Sequence, residues 1–570
     1  MLTILMGRAK SGKTEWMLRR IAALGDSSRQ VLLVPEHATY AAEMDLCRTC
    51  GDTASRHAEV LSFRRLGTRV LSVTGGLADV SLDQGGKLLT LQKALGEVAP
   101  ELKLYRRPSR KAAFLTGMLD LFDEFQSFDV SPEDLSRRGE ELTGATGEKL
   151  RDLSLLYGAY QARLQRPGLD ARDWMSKLCD HLEESHIAEG VDFFLDGFSY
   201  FTVQEQKVLS VLLRQGRSVT VSLLGEERGG RGELFDASYR TRDALLRLAE
   251  ETSCEAEVLY IKPAGEDSPL RRLERGFLGP AQPWEGETEA IRLLEAPDPY
   301  TEVEECAAAI RRLVAGGKCR YRDIGVGARN MGDYEFLLES VFERYGIPAY
   351  QSCRSDILET PALAFVMGAM ETLGSGFEAE DLFRCLKTGL AGLTAEECDR
   401  LENYALTWDI HGSLWLREED WVAHPGGYGQ KWTDADREEL AEINALRQRV
   451  RQPFLLLREG MKAAETAGGK VEALYRFLES VKLQQSLEEQ RTRLAEAGLL
   501  QRAEERAQLW EILCEALDQF VELLGEEPIS TDEFQRLLRQ VLTQYSVGTI
   551  PAALDQVTVG DISRNDRHTC

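Results

Sequence analysis

The sequence has 570 residues, too many for a single hydrophobic core, so several domains are expected. Hydrophobic residues make up 43% and charged residues 29% of the chain, and no run of about eighteen apolar residues predicts a membrane span. The formal net charge of −25 argues against a surface that binds polyanions everywhere and is compatible only with local basic tracks.

The first ten residues, MLTILMGRAK, contain a short apolar run with no basic segment before it and no small-residue cleavage site. This pattern predicts a buried first strand rather than a signal peptide. The eleven cysteines are scattered, and only Cys47 and Cys50 form a CxxC pair, with no second pair or nearby histidine to complete a zinc site. Reduced thiols in a cytoplasmic protein are therefore the simplest interpretation.

The next element, GRAKSGKT, matches the phosphate-binding pattern GxxxxGK[ST]. Such a loop turns backbone N–H groups inward around a phosphate, and the helix that follows offers its N-terminus to the anion. Lys13 would bring its charge to the β- and γ-phosphates, and the Thr14 hydroxyl would bind Mg²⁺. The sequence therefore predicts a site for ATP and Mg²⁺ formed by the whole loop: Gly7, Arg8, Ala9, Lys10, Ser11, Gly12, Lys13 and Thr14.

A magnesium-dependent loop of this kind needs an acidic partner at the end of another strand. The adjacent residues Asp123 and Glu124 are one candidate. The apolar residues around them recur at helical spacing, which predicts that the two carboxylates lie on a helix and not at the end of a strand. The stretch VDFFLDG (191–197) instead predicts a short buried strand ending at Asp196, where ligands bind in parallel sheets. Asp196 is expected to reach the magnesium, whereas Gly197 has no carboxylate to polarise an attacking water. We therefore expect the chain to hold ATP and to hydrolyse it poorly or not at all.

With these elements placed, the chain resembles superfamily 1 helicases of the UvrD/RecB type and, more closely, the AddB family, the inactivated-helicase subunits of AddAB helicase–nucleases. The likeness covers nearly all of the chain. VLLVPEHATYAAEM (31–44) and EVLSFRRLGTRVL (59–71) resemble segments that contact single-stranded DNA, and SVTVSLLGE (218–226) resembles motif III. Residues 321–350 resemble motif IV, and LDQVTVGDISRNDRHTC (554–570) resembles the opening of motif V.

The resemblance implies roles for individual residues. Arg329 matches the arginine that approaches the γ-phosphate, and Phe63 and Phe198 could stack on bases while Arg65 contacts a phosphate or a base edge. For each aromatic side chain, packing in the core is the alternative. By the same resemblance, a channel that binds single-stranded DNA and reads a recombination hotspot would be lined by His37, Thr39, Phe63, Arg65, Thr68, Phe198 and Phe201.

The chain also departs from the active helicases of the superfamily. Gly197 replaces the motif II glutamate, and Ser199 and Tyr200 replace the Gln-Asp pair after it, a loss that separates AddB from its motor partner AddA. Because the sequence stops within motif V, we expect a partial chain. The family's nuclease domain and its four-cysteine iron–sulfur cluster are expected only in the missing C-terminal part, so no cysteine here is assigned to that cluster. The resemblance further implies a heterodimer with an AddA-type helicase–nuclease subunit, acting on single-stranded and duplex-end DNA and not at a membrane.

The predicted architecture is an α/β fold of two RecA-like P-loop domains (superfamily 1 helicase-like), each with a helical insertion. A loop rich in Gly, Pro and acidic residues (263–289) is expected to link the two cores, and residues 290–314 predict a strand followed by a helix. The predicted boundaries are 1–75 and 190–290 for the first core, 76–189 for its insertion, 291–370 for the first part of the second core, 371–545 for its insertion and 546–570 for the motif V region.

Three functions compete. The first is a subunit of an ATP-dependent helicase/deoxyribonuclease for double-strand-break repair, which binds nucleotide and single-stranded DNA while its partner supplies the motor. The second is an active superfamily 1 helicase whose catalytic carboxylate comes from elsewhere, such as Glu205. The third, a P-loop small-molecule kinase, leaves motif IV unexplained. ATPase turnover with and without single-stranded DNA separates the first two.

Overall fold

The computed structural model describes most of the chain in ten segments. They are residues 1–51, 54–75, 82–107, 111–164, 174–227, 232–262, 267–277, 283–351, 357–545 and 555–562. The strands in these segments are β1 (Leu2–Gly7), β2 (Arg29–Leu33), β3 (Ala58–Leu61), β4 (Val191–Leu195), β5 (Ser218–Leu224), β6 (Ala256–Tyr260), β7 (Gly325–Ala328), β8 (Ala349–Gln351) and β9 (Val557–Asp561).

Helices outnumber strands among the described elements. Those of the first half are α1 (Lys13–Leu24), α2 (Thr39–Cys50), α3 (Phe63–Thr74), α4 (Gln84–Val98), α5 (Ala112–Ser127), α6 (Pro132–Glu141), α7 (Ala145–Leu164), α8 (Trp174–Ser185), α9 (Val203–Gln215), α10 (Gly232–Glu251) and α11 (Pro269–Gly276). Those of the second half are α12 (Pro299–Ala315), α13 (Glu335–Arg344), α14 (Pro361–Gly374), α15 (Ala379–Leu386), α16 (Ala395–Thr407), α17 (Asp434–Ala463), α18 (Ala467–Ser480), α19 (Leu483–Glu496), α20 (Leu500–Leu524) and α21 (Thr531–Leu542).

The first sheet consists of six parallel strands in the order β3-β2-β4-β5-β1-β6. Strands β1 and β4 are buried along their whole length, as expected for a parallel sheet covered on both faces. Side chains alternate between the faces, so that Leu5 packs with α1 and α2 while Ile4 packs with α3, α8, α9 and α10. All six carboxyl ends therefore meet at one edge, and the predicted α/β class is confirmed.

The second sheet is smaller, with three parallel strands in the order β7-β9-β8. It packs against α12 and α13 through Val303, Ile310, Leu338 and Phe342. The predicted helix after residue 298 is confirmed as α12. The strand predicted before it is wrong for this structure. Residues 290–296 form no strand, and the Leu293 side chain is 99% exposed, because none of the described strands of the second sheet pairs with this segment. The identification of the two sheets with two RecA-like domains stays a prediction.

The helices of residues 82–164 and 357–542 share one hydrophobic core. Helix α4 packs directly on α20 and α21, and its Lys93 forms an ion pair with Glu527 at 2.8 Å. Helix α8 does not join this core, since Leu178 and Leu182 pack on the first sheet with α3 and α9. The two stretches predicted as separate insertions thus meet in a single helical body.

Two local predictions can be compared directly with the elements. The helix predicted around Asp123 and Glu124 is confirmed as α5, where Asp123 pairs with Lys87 at 3.1 Å. The stretch 263–289 was expected to be a plain loop, but its described part contains α11, which begins after the Ser268 cap. Residues 263–266 and 278–282 of that stretch, like 546–554 and 563–570 around β9, lie outside the described residues. Across the described helices, none combines the length and apolarity needed to cross a bilayer.

Candidate nucleotide site and its neighbouring loops

The glycine-rich loop runs from the end of β1 to the start of α1, and its shape depends on its two glycines. Gly12 has φ of +94°, a left-handed conformation that favours glycine, and it stands at the N-cap of α1. A Cβ on Gly7 would lie 2.4 Å from Ser11 Oγ and 2.8 Å from the Ile261 carbonyl oxygen. The two fixed glycines of the pattern are thus needed for different reasons. Gly7 allows the close approach of Ser11 and Ile261, and Gly12 adopts a backbone conformation that favours glycine.

The Lys13 ammonium lies across the loop. Its Nζ donates to the carbonyl oxygens of Gly7 at 2.8 Å and Arg8 at 2.9 Å. Burial lowers the pKa of Lys13, an effect opposed by the nearby carboxylates of Asp196 and Glu274. The cation is therefore held inside the loop, in the position from which the motif's lysine contacts a bound phosphate.

Thr14 and Asp196, separated by 182 residues, meet at the carboxyl edge of the sheet. The Thr14 hydroxyl donates to Asp196 Oδ2 at 2.7 Å, and the hydroxyl of Ser222 on β5 donates to Asp196 Oδ1. Asp196, which is 6% exposed, follows β4 directly, as the strand prediction requires. A hydroxyl beside a carboxylate suits Mg²⁺, which takes few protein ligands and completes its octahedron with waters and phosphate oxygens.

No second carboxylate follows Asp196. Gly197 has φ of +82°, so its position is shaped for glycine and would strain a glutamate. Glu205, the carboxylate that an active helicase would require from elsewhere, accepts the Thr202 N–H at 2.8 Å and forms the capping box of α9. Its carboxylate is engaged at a helix N-terminus rather than with Thr14 or Asp196.

Arg8 is paired within the protein by residues that the sequence did not indicate. Its Nε donates to the Glu274 carboxylate on α11 at 2.8 and 3.0 Å, and its Nη1 donates to Glu226, just after β5. The guanidinium also lies 5.7 Å from the centre of the Phe235 ring. The only sequence signals were a glutamate at the end of the motif III likeness and a short amphipathic stretch inside an expected linker.

The contacts of the remaining residues predicted to bind the nucleotide give less support to that role. Ala9 and Lys10 are exposed, and Ser11 is buried with no hydrogen-bond partner for its hydroxyl oxygen among the described residues. Arg329 is exposed and follows β7 of the second sheet. In the described segments no hydrogen bond connects Arg329 to the glycine-rich loop, so its role at the γ-phosphate stays a prediction.

The three predicted aromatic residues of the DNA channel lie together. The ring of Phe198 is 5.6 Å from Phe63 in an edge arrangement and 5.1 Å from Phe201. Phe63 and Phe201 are each only 5% exposed and belong to the core of the first sheet, while Phe198 is partly exposed. Burial favours the core-packing alternative for Phe63 and Phe201 and leaves the partly exposed Phe198 as the ring more accessible to a base.

The polar candidates for DNA binding flank this aromatic group. His37 and Thr68 are exposed, whereas Thr39 is buried and donates its hydroxyl to the Glu36 carbonyl at 3.0 Å. Arg65 is half exposed, and its guanidinium lies 3.3 Å from Glu43 and 3.7 Å from Glu36. A phosphate would therefore compete with two carboxylates for Arg65.

The strand order explains how these residues divide. Strands β3, β2 and β4 end at the predicted DNA residues, and β4, β5 and β1 end at Asp196, Glu226 and the glycine-rich loop. The segment after β4 carries both Asp196 and Phe198, so it belongs to both groups. These features define a mainly parallel α/β protein with a glycine-rich loop facing a carboxylate at the edge of its larger sheet.

Comparison with known proteins identifies the family. A family model described as ADDB, N-terminal, matches residues 4–274. A protein of Thermoanaerobacter sp. (strain X514), named as a subunit of an ATP-dependent helicase/deoxyribonuclease, is 32% identical over 587 residues, which cover 100% of this chain and 51% of that protein. The proteins of the same name from Clostridium kluyveri and Acetivibrio thermocellus are each 30% identical, with 99% and 100% of this chain and 50% and 51% of theirs covered. The resemblance to AddB is thereby confirmed, and the chain spans about half the length of these curated relatives.

Proposed function

We propose that this protein is the nucleotide- and DNA-binding part of a subunit of an AddAB-type helicase–nuclease, which processes double-strand breaks for recombinational repair. In this proposal it binds Mg²⁺–ATP and single-stranded DNA, hydrolyses little ATP and relies on an AddA-type subunit for the motor. The observation that carries the proposal is the 2.7 Å hydrogen bond from the Thr14 hydroxyl to Asp196, which is followed by Gly197 in the left-handed conformation.

Nucleotide binding rests on the loop and its partners. Backbone N–H groups of the loop and the N-terminus of α1 attract a phosphate, and Lys13 supplies the charge. Thr14 and Asp196 would hold the magnesium, directly or through a water. ATP and Mg²⁺ are therefore the cofactors proposed for this chain, and the family's iron–sulfur cluster is proposed only for the portion that these residues do not include.

Weak hydrolysis follows from what surrounds Asp196. In-line attack on the γ-phosphate needs a group that orients and polarises water. Gly197 has no side chain, and Glu205 is engaged in the capping box of α9. Arg329, the proposed γ-phosphate contact, would sense the nucleotide without replacing the missing carboxylate.

The DNA-binding function rests on the neighbouring edge of the sheet. His37, Arg65 and Thr68 are accessible to a strand crossing this edge, and Phe198 presents a ring for a base. Because the segment after β4 carries both Asp196 and Phe198, nucleotide occupancy and DNA contact would influence each other. Reading of a recombination hotspot is proposed for this edge.

The test compares binding with turnover. Binding of a fluorescent ATP analogue is measured with wild type and Lys13→Ala, and Arg19→Ala, an exposed change on the same helix, serves as the control. Loss of the lysine charge should weaken binding by roughly 10–100-fold, while phosphate release stays near background with or without single-stranded DNA.

Two results would contradict the proposal. Equal affinity of Lys13→Ala and wild type for the ATP analogue would show that the glycine-rich loop is not the nucleotide site. Robust DNA-stimulated hydrolysis by the wild type would instead favour the active-helicase alternative.

A further inference from the structure

We propose that residues 408–432, between α16 and α17, form a docking site for a basic peptide segment of a partner protein that inserts one apolar side chain. We name this stretch the aromatic loop, because it holds four of the eight tryptophans of the chain: Trp408, Trp415, Trp421 and Trp432. It lies in the helical body, and the proposed function assigns it no role.

Two buried polar side chains of α17 hold the aromatic loop through hydrogen bonds to its backbone. Arg447 donates to the backbone carbonyls of Glu419, at 2.8 Å, and of Arg417, and its guanidinium lies 4.8 Å from the centre of the Trp421 ring. Asn444 accepts the Trp421 N–H and donates to the Trp421 carbonyl, both at 2.9 Å. A loop tied in this way presents its surface with little conformational entropy left to lose on binding.

The rings of the loop divide into an inner and an outer set. Trp415 is buried and Trp408 donates its N–H to the His424 carbonyl at 3.0 Å, so both serve the scaffold. Tyr428, whose ring is tilted against Trp408 at 4.5 Å between centroids, is 86% exposed, and Trp432, tilted against His424 at 4.6 Å, is 41% exposed. Val422, which directly follows Trp421, is 82% exposed. Exposed aromatic and aliphatic groups on a rigid base are typical of protein-interaction surfaces.

A cavity of about 420 Å³ opens beside the outer set. Its lining includes four apolar residues with one acidic and one basic side chain: Trp421, Val422, Trp432, Leu440, Asp420 and Arg437. The volume lies at the lower end of the range for binding pockets, so it suits one or two side chains rather than a large ligand.

The charge around the cavity selects the occupant. Residues 417–439 contain seven acidic and three basic side chains, a net charge of −4 with histidine neutral. One of the three, Arg437, is paired with Asp434 at 2.9 Å. A stretch of chain with this net charge repels nucleic acid phosphates and attracts a cationic segment, while exposed tryptophan surface favours an arginine or lysine that lies over it. An extended peptide that combines basic with proline or aliphatic residues meets both requirements.

The experiment selects binders from a random dodecapeptide display library on the full chain. Enriched peptides should be basic and carry a recurring apolar residue. The synthetic form of the most enriched peptide should bind with an affinity that falls as salt rises. Trp432→Ala and Asp420→Lys should each weaken it about tenfold or more, whereas Leu456→Ala, an exposed change farther along α17, should leave it unchanged. Circular dichroism checks each variant, and Val422→Ser replaces Trp432→Ala if the latter fails to fold.

Other results would overturn the proposal. One is the absence of enrichment, or enrichment of peptides that bind the aromatic-loop variants as well as the wild type. Another is a single-stranded oligonucleotide whose binding is lost in Trp432→Ala, which would make the loop a nucleic-acid site. Self-association of the wild type in sedimentation that Trp432→Ala abolishes would make a second copy the occupant.

Discussion

At Gly197 the backbone φ of +82° decides which side chains the position accepts. Comparable reasoning applies to Phe63, for which the sequence left base stacking and core packing open and which the structure places at 5% exposure in the core. At both residues the local geometry, rather than the residue type alone, sets the consequence of a substitution.

We expect that Gly197→Glu will not restore ATP hydrolysis. A residue with a Cβ in the left-handed region costs roughly 1–2 kcal/mol, so the variant should lose stability without directing its carboxylate at a water. Urea unfolding and phosphate release measure the two effects. Gly197→Ala is the matched control, because it carries the same backbone strain without the carboxylate, and a glutamate variant with clearly higher turnover would show that the backbone adapts.

Phe63→Ala should destabilise the protein by about 3–5 kcal/mol, the usual cost of emptying a buried aromatic site. The stacking role implied by the family resemblance instead predicts a loss of single-strand affinity of about 1–3 kcal/mol with little change in stability. Denaturant unfolding together with oligonucleotide titration separates these outcomes. Tyr40→Ala, on the exposed side of α2, controls for loss of an aromatic ring from the same region.

At the scale of elements, two helices fix the two glutamates considered for the nucleotide site. Helix α9 begins at a capping box that engages Glu205, and α11 brings Glu274 to Arg8 from a stretch expected to be a linker. Neither helix belongs to the phosphate-binding pattern, yet α11 brings a carboxylate to the loop while α9 engages its glutamate in its own cap.

Glu205 should make stability fall as pH rises. Burial raises the pKa of Glu205 in the folded protein despite its hydrogen bonds with Thr202. A raised folded pKa gives a stability contribution that is present below the unfolded pKa and lost as pH rises through the folded one. Glu205→Gln keeps the capping box and should flatten the profile above about pH 4.3, as measured by unfolding at several pH values.

The capping box of α16 provides the control of opposite sign. A hydrogen bond from the Thr394 N–H, with help from Arg449, lowers the pKa of Glu397, so its contribution should be lost as pH falls. Matching profiles for Glu205→Gln and Glu397→Gln would contradict the assignment. A collapse of basal ATP turnover in Glu205→Gln alone would point to the active-helicase alternative.

Glu274→Gln should tighten nucleotide binding by about 3–10-fold, since it removes a negative charge beside the phosphate cradle while Glu226 keeps Arg8 in place. Titration with the fluorescent ATP analogue at two salt concentrations measures the change, which should shrink at the higher one. Asp267→Asn, which removes a carboxylate just before α11 that pairs with Arg272 and Arg275 instead of Arg8, is the control. Weaker binding in Glu274→Gln would mean that the glutamate supports the loop instead of repelling the ligand.

Over the whole molecule, the helical body joins distant parts of the chain in one core. Helix α4 comes from between β3 and β4 of the first sheet, and α20 and α21 come from between β8 and β9 of the second. The first sheet is thereby connected to the second through packed helices as well as through the chain.

The two helical stretches should unfold together. Leu89→Ala on α4 and Phe534→Ala on α21 each remove a fully buried side chain, at a cost of about 2–5 kcal/mol. Hydrogen exchange followed by mass spectrometry should show faster exchange in both stretches for either variant, while the exposed change Leu406→Ala affects neither. Faster exchange confined to the mutated stretch would show that the two stretches are independent units.

Short-range patterns in the sequence determined the elements that depend on neighbouring residues. The glycine-rich loop, the strand ending at Asp196, the helix that carries Asp123 and helix α12 all follow from periodicity or motif chemistry within a few turns of chain. The strand predicted at 290–296 was wrong, because an apolar run forms a strand only where another strand pairs with it.

The tertiary structure alone decided which distant residues meet. Arg8 reaches partners 218 and 266 positions away, and α4 finds its neighbours on α20 and α21. These contacts depend on strand order and on crossover connections, which bring together residues whose separation along the chain carries no periodic signal. The same reason explains why Phe63 was an open choice in the sequence, since burial is a property of the assembled core and not of the residue.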